Sequence, residues 1–133
     1  MIVVDTSALI AVLLDEPESE AFEAVLLSEA SVMSAVSLHE AACVMRARHG
    51  REGVAELLEL IAVCEITIEA FDEAQARIAM QAFDRFGKGI DPRARLNLAD
   101  CASYALAAFM GLPLLCKGGD FAATDIRLRL KGV

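Results

Sequence analysis

The chain reads as an α/β protein built in layers, with helices packed against a mostly parallel sheet. Three observations predict this. Short apolar runs at 2–5, 32–34 and 113–116 are separated by longer helical stretches, the pattern of strands joined by helical crossovers. The first run, Ile2-Val3-Val4, is apolar at every position, as a strand is when both faces of its sheet are covered. Carboxylates follow the first and last of these runs, at Asp5 and Asp120, and open parallel sheets build their sites at strand carboxyl ends.

Taken in order, residues 2–5 predict a strand and 8–13 a short helix that the polar Asp15-Glu16-Pro17 ends. Pro17 suits the first turn of a helix over 17–28. A strand at 32–34 leads into a helix over 37–48; Gly50 stops it, and another helix follows over 51–61. Glu65-Ile66-Thr67-Ile68 alternates and is rich in β-branched residues, so it reads as a strand. An amphipathic helix is expected over 70–86, then a loop through Gly87–Pro92. Asn97 caps a helix that runs to Met110, where Gly111 stops it. A strand at 113–116 closes the pattern, and 126–128 is a candidate for one more. With no repeats, low-complexity tracts or linkers, residues 1–133 are expected to form one domain.

Composition narrows the function. The apolar share is 56%, above the roughly 45–50% of ordinary soluble proteins, and the surplus predicts a buried subunit or partner interface. No apolar run reaches the roughly 18 residues of a membrane helix, and the N-terminus lacks the basic lead of a signal peptide, so a cytoplasmic protein is expected. The net charge is −8 and lopsided: residues 1–45 hold eight acids and no Lys or Arg. Bulk charge will therefore not coat nucleic acid, and any such contact must be local. Arg46, Arg48, Arg51, Arg85, Lys88, Arg93 and Arg95 are the candidates for it. Cys43, Cys64, Cys101 and Cys116 form no CxxC pair and read as reduced, buried small hydrophobes. His39 and His49 are read as standing apart from them, which argues against zinc.

Asp5, Glu40, Asp100 and Asp120 are the candidate functional residues. Each also has a purely local reading. Asp5 and Asp120 suit helix caps, Ser37-Leu38-His39-Glu40 matches a capping box, and Asp100 sits at the third helical position after Asn97. Together they stand at element starts that a parallel sheet gathers on one edge. Close carboxylate pairs there would repel by roughly 4 kcal/mol each at an effective dielectric near 20. A divalent ion that prefers oxygen ligands removes that penalty. The spacing alone leaves a metal site and four caps both open.

The sequence Met1-Ile2-Val3-Val4-Asp5-Thr6-Ser7-Ala8-Leu9 is similar to the opening of PIN-domain ribonucleases. The likeness continues in order at 34–40, 86–89, 96–101 and 115–121. Over its whole length the chain resembles the VapC toxins of bacterial toxin–antitoxin pairs. Asn97-Leu98-Ala99-Asp100 stands where that family usually has Asn-Phe-Gly-Asp, and Gly118-Gly119-Asp120 where it often has Gly-Asn-Asp; both keep the carboxylates.

The resemblance implies a three-layer α/β/α sandwich, PIN-like, and an endoribonuclease using magnesium or manganese. It implies that Asp5, Glu40, Asp100 and Asp120 hold the ion and that Thr6 or Ser7 brings a hydroxyl near it. Asn97 would orient the acids, with Asp125 an outer member. It further implies a homodimer and a small antitoxin protein, together a larger hetero-oligomer, the antitoxin laying a helix in a groove and aiming a basic side chain at the acids. Attack by water rather than the RNA 2′-hydroxyl would leave 5′-phosphate and 3′-hydroxyl ends. Two other classes remain: a PIN-like binding module without turnover, and a phospho-acceptor domain. The latter usually needs a second acid beside the first, where this chain has Thr6 and Ser7.

Overall fold

The computed structural model describes all 133 residues. Four parallel strands, β1 (Ile2–Val4), β2 (Ser31–Ser34), β3 (Thr67–Glu69) and β4 (Leu114–Leu115), lie in the order β3-β2-β1-β4. Five helices connect them: α1 (Thr6–Leu13), α2 (Ser19–Ser28), α3 (Ala35–Val63), α4 (Glu73–Phe86) and α5 (Leu98–Met110). Residue alternation along the strands makes two cores. Ile2 and Val4, with Met33 and Leu115, pack with Phe22, Met45 and Leu57 on one face. Val3, with Val32 and Leu114, packs with Phe86, Leu96 and Leu106 on the other. Burial on both faces is why β1 and β4 carry no polar side chain.

The chain adds β2 and β3 on one side of β1, then returns to place β4 on the other. The direction of winding thus reverses between β1 and β4, and the crevice beyond their carboxyl ends is the natural site of such a sheet. Asp5 follows β1 directly, and its backbone N–H continues the pairing by donating to the Leu115 carbonyl at 2.9 Å.

Several boundaries differ from the sequence expectation. Asp5 itself caps α1, so that helix begins at Thr6. Pro17 lies in the turn before α2, not in its first turn. The helices expected on either side of Gly50 are both present, as two parts of α3 that break at Gly50, the one residue there with non-helical angles, at φ 65° and ψ −149°. Asp72 caps α4, whose side chain accepts from the Gln75 N–H, so the helix starts three residues later than its apolar pattern suggests. The tail contributes only a single bridge, Leu128 to Leu114.

Candidate metal centre

Four elements bring acids to the β1/β4 crevice. Asp5 is 3% exposed, and its carboxylate accepts three hydrogen bonds. Oδ2 takes the Ser7 N–H at 3.0 Å and the Ser7 hydroxyl at 2.7 Å, while Oδ1 takes the Ser103 hydroxyl at 2.6 Å. Ser7 in turn accepts the Lys117 N–H at 2.9 Å, tying β1 to the loop that leads to Asp120.

Glu40 is not a capping residue. Ser34 caps α3 by accepting the Val36 N–H, which frees Ser37 to turn inward and sets Glu40 one turn further along the same face. Burial raises the Glu40 pKa above the ordinary carboxylate value; nearby Thr6 opposes this and the Asp5 charge adds to it. Asp100 does have its local role. It completes a capping box with Asn97, each side chain accepting the other's backbone N–H, at 2.8 and 3.0 Å. Only Oδ2 is spent there, so capping and a place in the site coexist. Burial, reinforced by the charges of Asp5, Glu40 and Asp120, lifts Asp100 to about 6 against the pull of the Asn97 N–H. Asp120 stands exposed before the short 3₁₀ turn Phe121–Ala123, without a side-chain capping bond.

Asp100 thus feels the charges of the other three acids, and Glu40 that of Asp5. None of them has a basic partner: the ion pairs of the protein all lie elsewhere. Lys117, the nearest lysine in sequence, is held by Glu16 and Glu18. Buried Cys116 lies among the acids, and burial with the charges of Asp5, Asp100 and Asp120 pushes its thiol to about 12. In the metal-free protein the ready ligands are therefore the carboxylate oxygens. No three Asp, Glu, His or Cys side chains converge on one ion-sized point. An open oxygen-lined group suits a magnesium-like ion, which keeps several waters and binds through one or two carboxylates.

The other candidates fall in different places. The Thr6 hydroxyl donates to the Ser37 carbonyl at 3.0 Å rather than standing free. Asp125 accepts the Tyr104 hydroxyl at 2.6 Å and pairs with Arg85 at 3.3 Å, which ties it to α4 and α5 instead of the acid group. Arg93 folds back on Asp91, whereas Arg46, Arg48, Arg51, Lys88 and Arg95 are exposed and make no ion pair. His39 and Cys43 sit one helical turn apart, Nε2 3.8 Å from Sγ, closer than the sequence reading allowed. No third His, Cys, Asp or Glu side chain joins them. Sequence reasoning missed Ser37 and Ser103, whose hydroxyls meet at 2.9 Å behind Asp5.

A family model described as PIN domain matches residues 2–127. Ribonuclease VapC30 of Mycobacterium tuberculosis is 45% identical over 93% of this chain and 95% of its own length. Ribonuclease VapC of Mycolicibacterium smegmatis is 43% identical over 93% of this chain and 96% of its own. Among solved structures, VapC20 of Mycobacterium tuberculosis superposes with a TM-score of 0.79 at 18% identity, covering 95% of this chain and 96% of that one. A toxin–antitoxin complex from Klebsiella pneumoniae gives 0.69 at 19%, covering 94% and 93%.

Proposed function

The chain belongs to the PIN-domain family, alongside the VapC ribonucleases, and from that premise we propose a divalent-metal-dependent endoribonuclease that acts as the toxin of a toxin–antitoxin pair. One observation carries the site: four carboxylates with no basic partner, Asp100 close enough to feel the other three, at the winding reversal of a parallel sheet. Asp5, Glu40, Asp100 and Asp120 would hold a magnesium or manganese ion, which would supply charge neutralisation and make a bound water more acidic than bulk water.

The rest falls to the protein. Asp5 gives an anchor fixed by three hydrogen bonds. Asp100, titrating near 6 without a cation, gives up its proton readily when positive charge arrives. Asn97 holds Asp100 in place through the paired cap. The crevice then presents the RNA phosphate to a water-accessible group of anions, with Arg46, Arg48, Arg51, Lys88 and Arg95 available to neighbouring phosphates. Selectivity falls to RNA shape and unstacked bases.

A small antitoxin and a second copy of the chain are the expected protein partners. An apolar groove of about 580 Å³ supports this, lying between α4 and α5 beside Asp100 and lined by Phe71, Met80, Phe83 and Leu98 among others. Leu98 is 79% exposed and Met80 66%, a cost that a covering partner would remove. A toxin acting on RNA would reside in the cytoplasm, and no helix here is long and apolar enough to cross a membrane.

The test is incubation of antitoxin-free protein with total cellular RNA and magnesium or manganese. Cleavage lost with EDTA and in Asp5→Asn is the expected result. Folded, metal-loaded wild type that cleaves no more than Asp5→Asn would instead support a binding module.

A further inference from the structure

Behind Asp5 lies a short buried relay of hydroxyls, and its direction follows from proton counting. An ionised carboxylate only accepts, so Ser103 spends its one hydroxyl proton on Asp5 Oδ1, at 2.6 Å. The 2.9 Å contact between Ser37 and Ser103 must then be donated by Ser37. The order is Ser37 to Ser103 to Asp5, joining α3 and α5 to the end of β1. Ser103 is wholly buried and Ser37 nearly so, 1% exposed, so water offers no substitute partner.

Counting lone pairs makes the consequence definite. A carboxylate has about four acceptor sites. Three on Asp5 are taken, two on Oδ2 by Ser7 and one on Oδ1 by Ser103. One remains, on Oδ1. We propose that Ser103, backed by Ser37, is a positioning residue that turns the last free lone pair of Asp5 toward the other acids, so that Asp5 meets a cation through Oδ1 alone. This rests on the carboxylate site proposed above. Helices α3 and α5 each carry a serine and an acid three residues apart, Ser37 with Glu40 and Asp100 with Ser103. One helical face thus supplies both the acid and the hydroxyl that supports Asp5.

Calorimetric titration of the metal-free protein with Mn²⁺ tests this, with the melting temperature of each apo variant measured alongside. Ser103→Ala is expected to weaken Mn²⁺ binding about 10–100-fold, the range for partners that orient metal ligands. It also leaves the Ser37 hydroxyl without its acceptor and so lowers apo stability. The double variant Ser37→Ala/Ser103→Ala has no orphaned hydroxyl, so its apo stability should recover in part, short of wild type because Asp5 Oδ1 still lacks its donor, while its Mn²⁺ affinity stays as low as that of Ser103→Ala. A merely structural pair would recover both, and that result would overturn the proposal. Mn²⁺ binding by the double variant equal to wild type would overturn it as well, even if Ser103→Ala fails to fold. Asp5→Asn separates this from the underlying reading. If Asp5→Asn binds Mn²⁺ like wild type, the carboxylate site itself is wrong. If only Asp5→Asn loses binding, the site stands and the relay does not matter.

Discussion

Asp5 and Asp120 follow two strands that pair with each other, yet they are held in opposite ways. Asp5 is sealed behind three hydrogen bonds, with serines from three separate segments around it. Asp120 ends an exposed loop in which Gly118 has φ 95° and Gly119 faces open space. That loop is fastened by backbone bonds at its edges, Lys117 to Ser7 and Gly118 to Val133. One wall of the site is therefore buried and preorganised, while the other lies open to solvent.

The contrast is broken most directly by neutralising each acid in turn. Asp5→Asn should reduce RNA cleavage by well over about 100-fold, beyond the loss typical of residues that only orient ligands. Asp120→Asn should cost less, about 10–100-fold, because waters at an exposed position can take over part of its role. Steady-state cleavage of one defined RNA by both variants gives the comparison; a larger loss at Asp120 would reverse it.

Asp100 sharpens the picture through pH. Its folded pKa is raised to about 6 from an ordinary 3.8, so the folded protein holds this proton more tightly than the unfolded chain does. Apo stability from this group is greatest below the ordinary value and declines as pH rises toward about 6. Asp100→Asn removes the decline. At pH 7.5 the apo variant should melt about 3 °C above wild type, of the order of 1 kcal/mol once solvent screening is allowed for, and the gain should vanish near pH 4. Thermal melts in EDTA across that range check the sign.

The smallest effect is expected at Gly119→Ala. Its φ is not left-handed and a Cβ meets nothing within 4 Å, so the change should stabilise by about 0.4–1 kcal/mol through the unfolded chain. Stiffening the loop should slow cleavage by less than Asp120→Asn does. A chemical melt paired with the same rate assay reads both.

The layered fold was legible because its strands are short, apolar on both faces and flanked by helices with clear stops, such as Asn97 before α5 and Gly111 after it. Asp5, Asp100 and Asp120 were legible as element starts, whereas Glu40 was misread as one and lies inside α3. Their union was not legible. Asp5 and Asp120 are brought together by the reversal between β1 and β4, a tertiary fact with no local signature, and the resemblance supplied what spacing left open. The serine relay escaped for a related reason: Ser103 lies in an apolar helix where it reads as a tolerated small residue, 98 positions from Asp5. Ser37-Leu38-His39-Glu40 concealed its partner by imitating a capping box that Ser34 makes unnecessary. Asp72 was likewise a cap hidden behind the first apolar position of its helix.

The most direct test of the account is to map the ends of the RNA fragments that the purified protein makes with Mn²⁺, with Asp5→Asn and EDTA in parallel. Fragments with 5′-phosphate and 3′-hydroxyl ends, absent from both controls, are the expected result. Cleavage that persists without metal, or that leaves 2′,3′-cyclic phosphates, would contradict hydrolysis by a carboxylate-held ion.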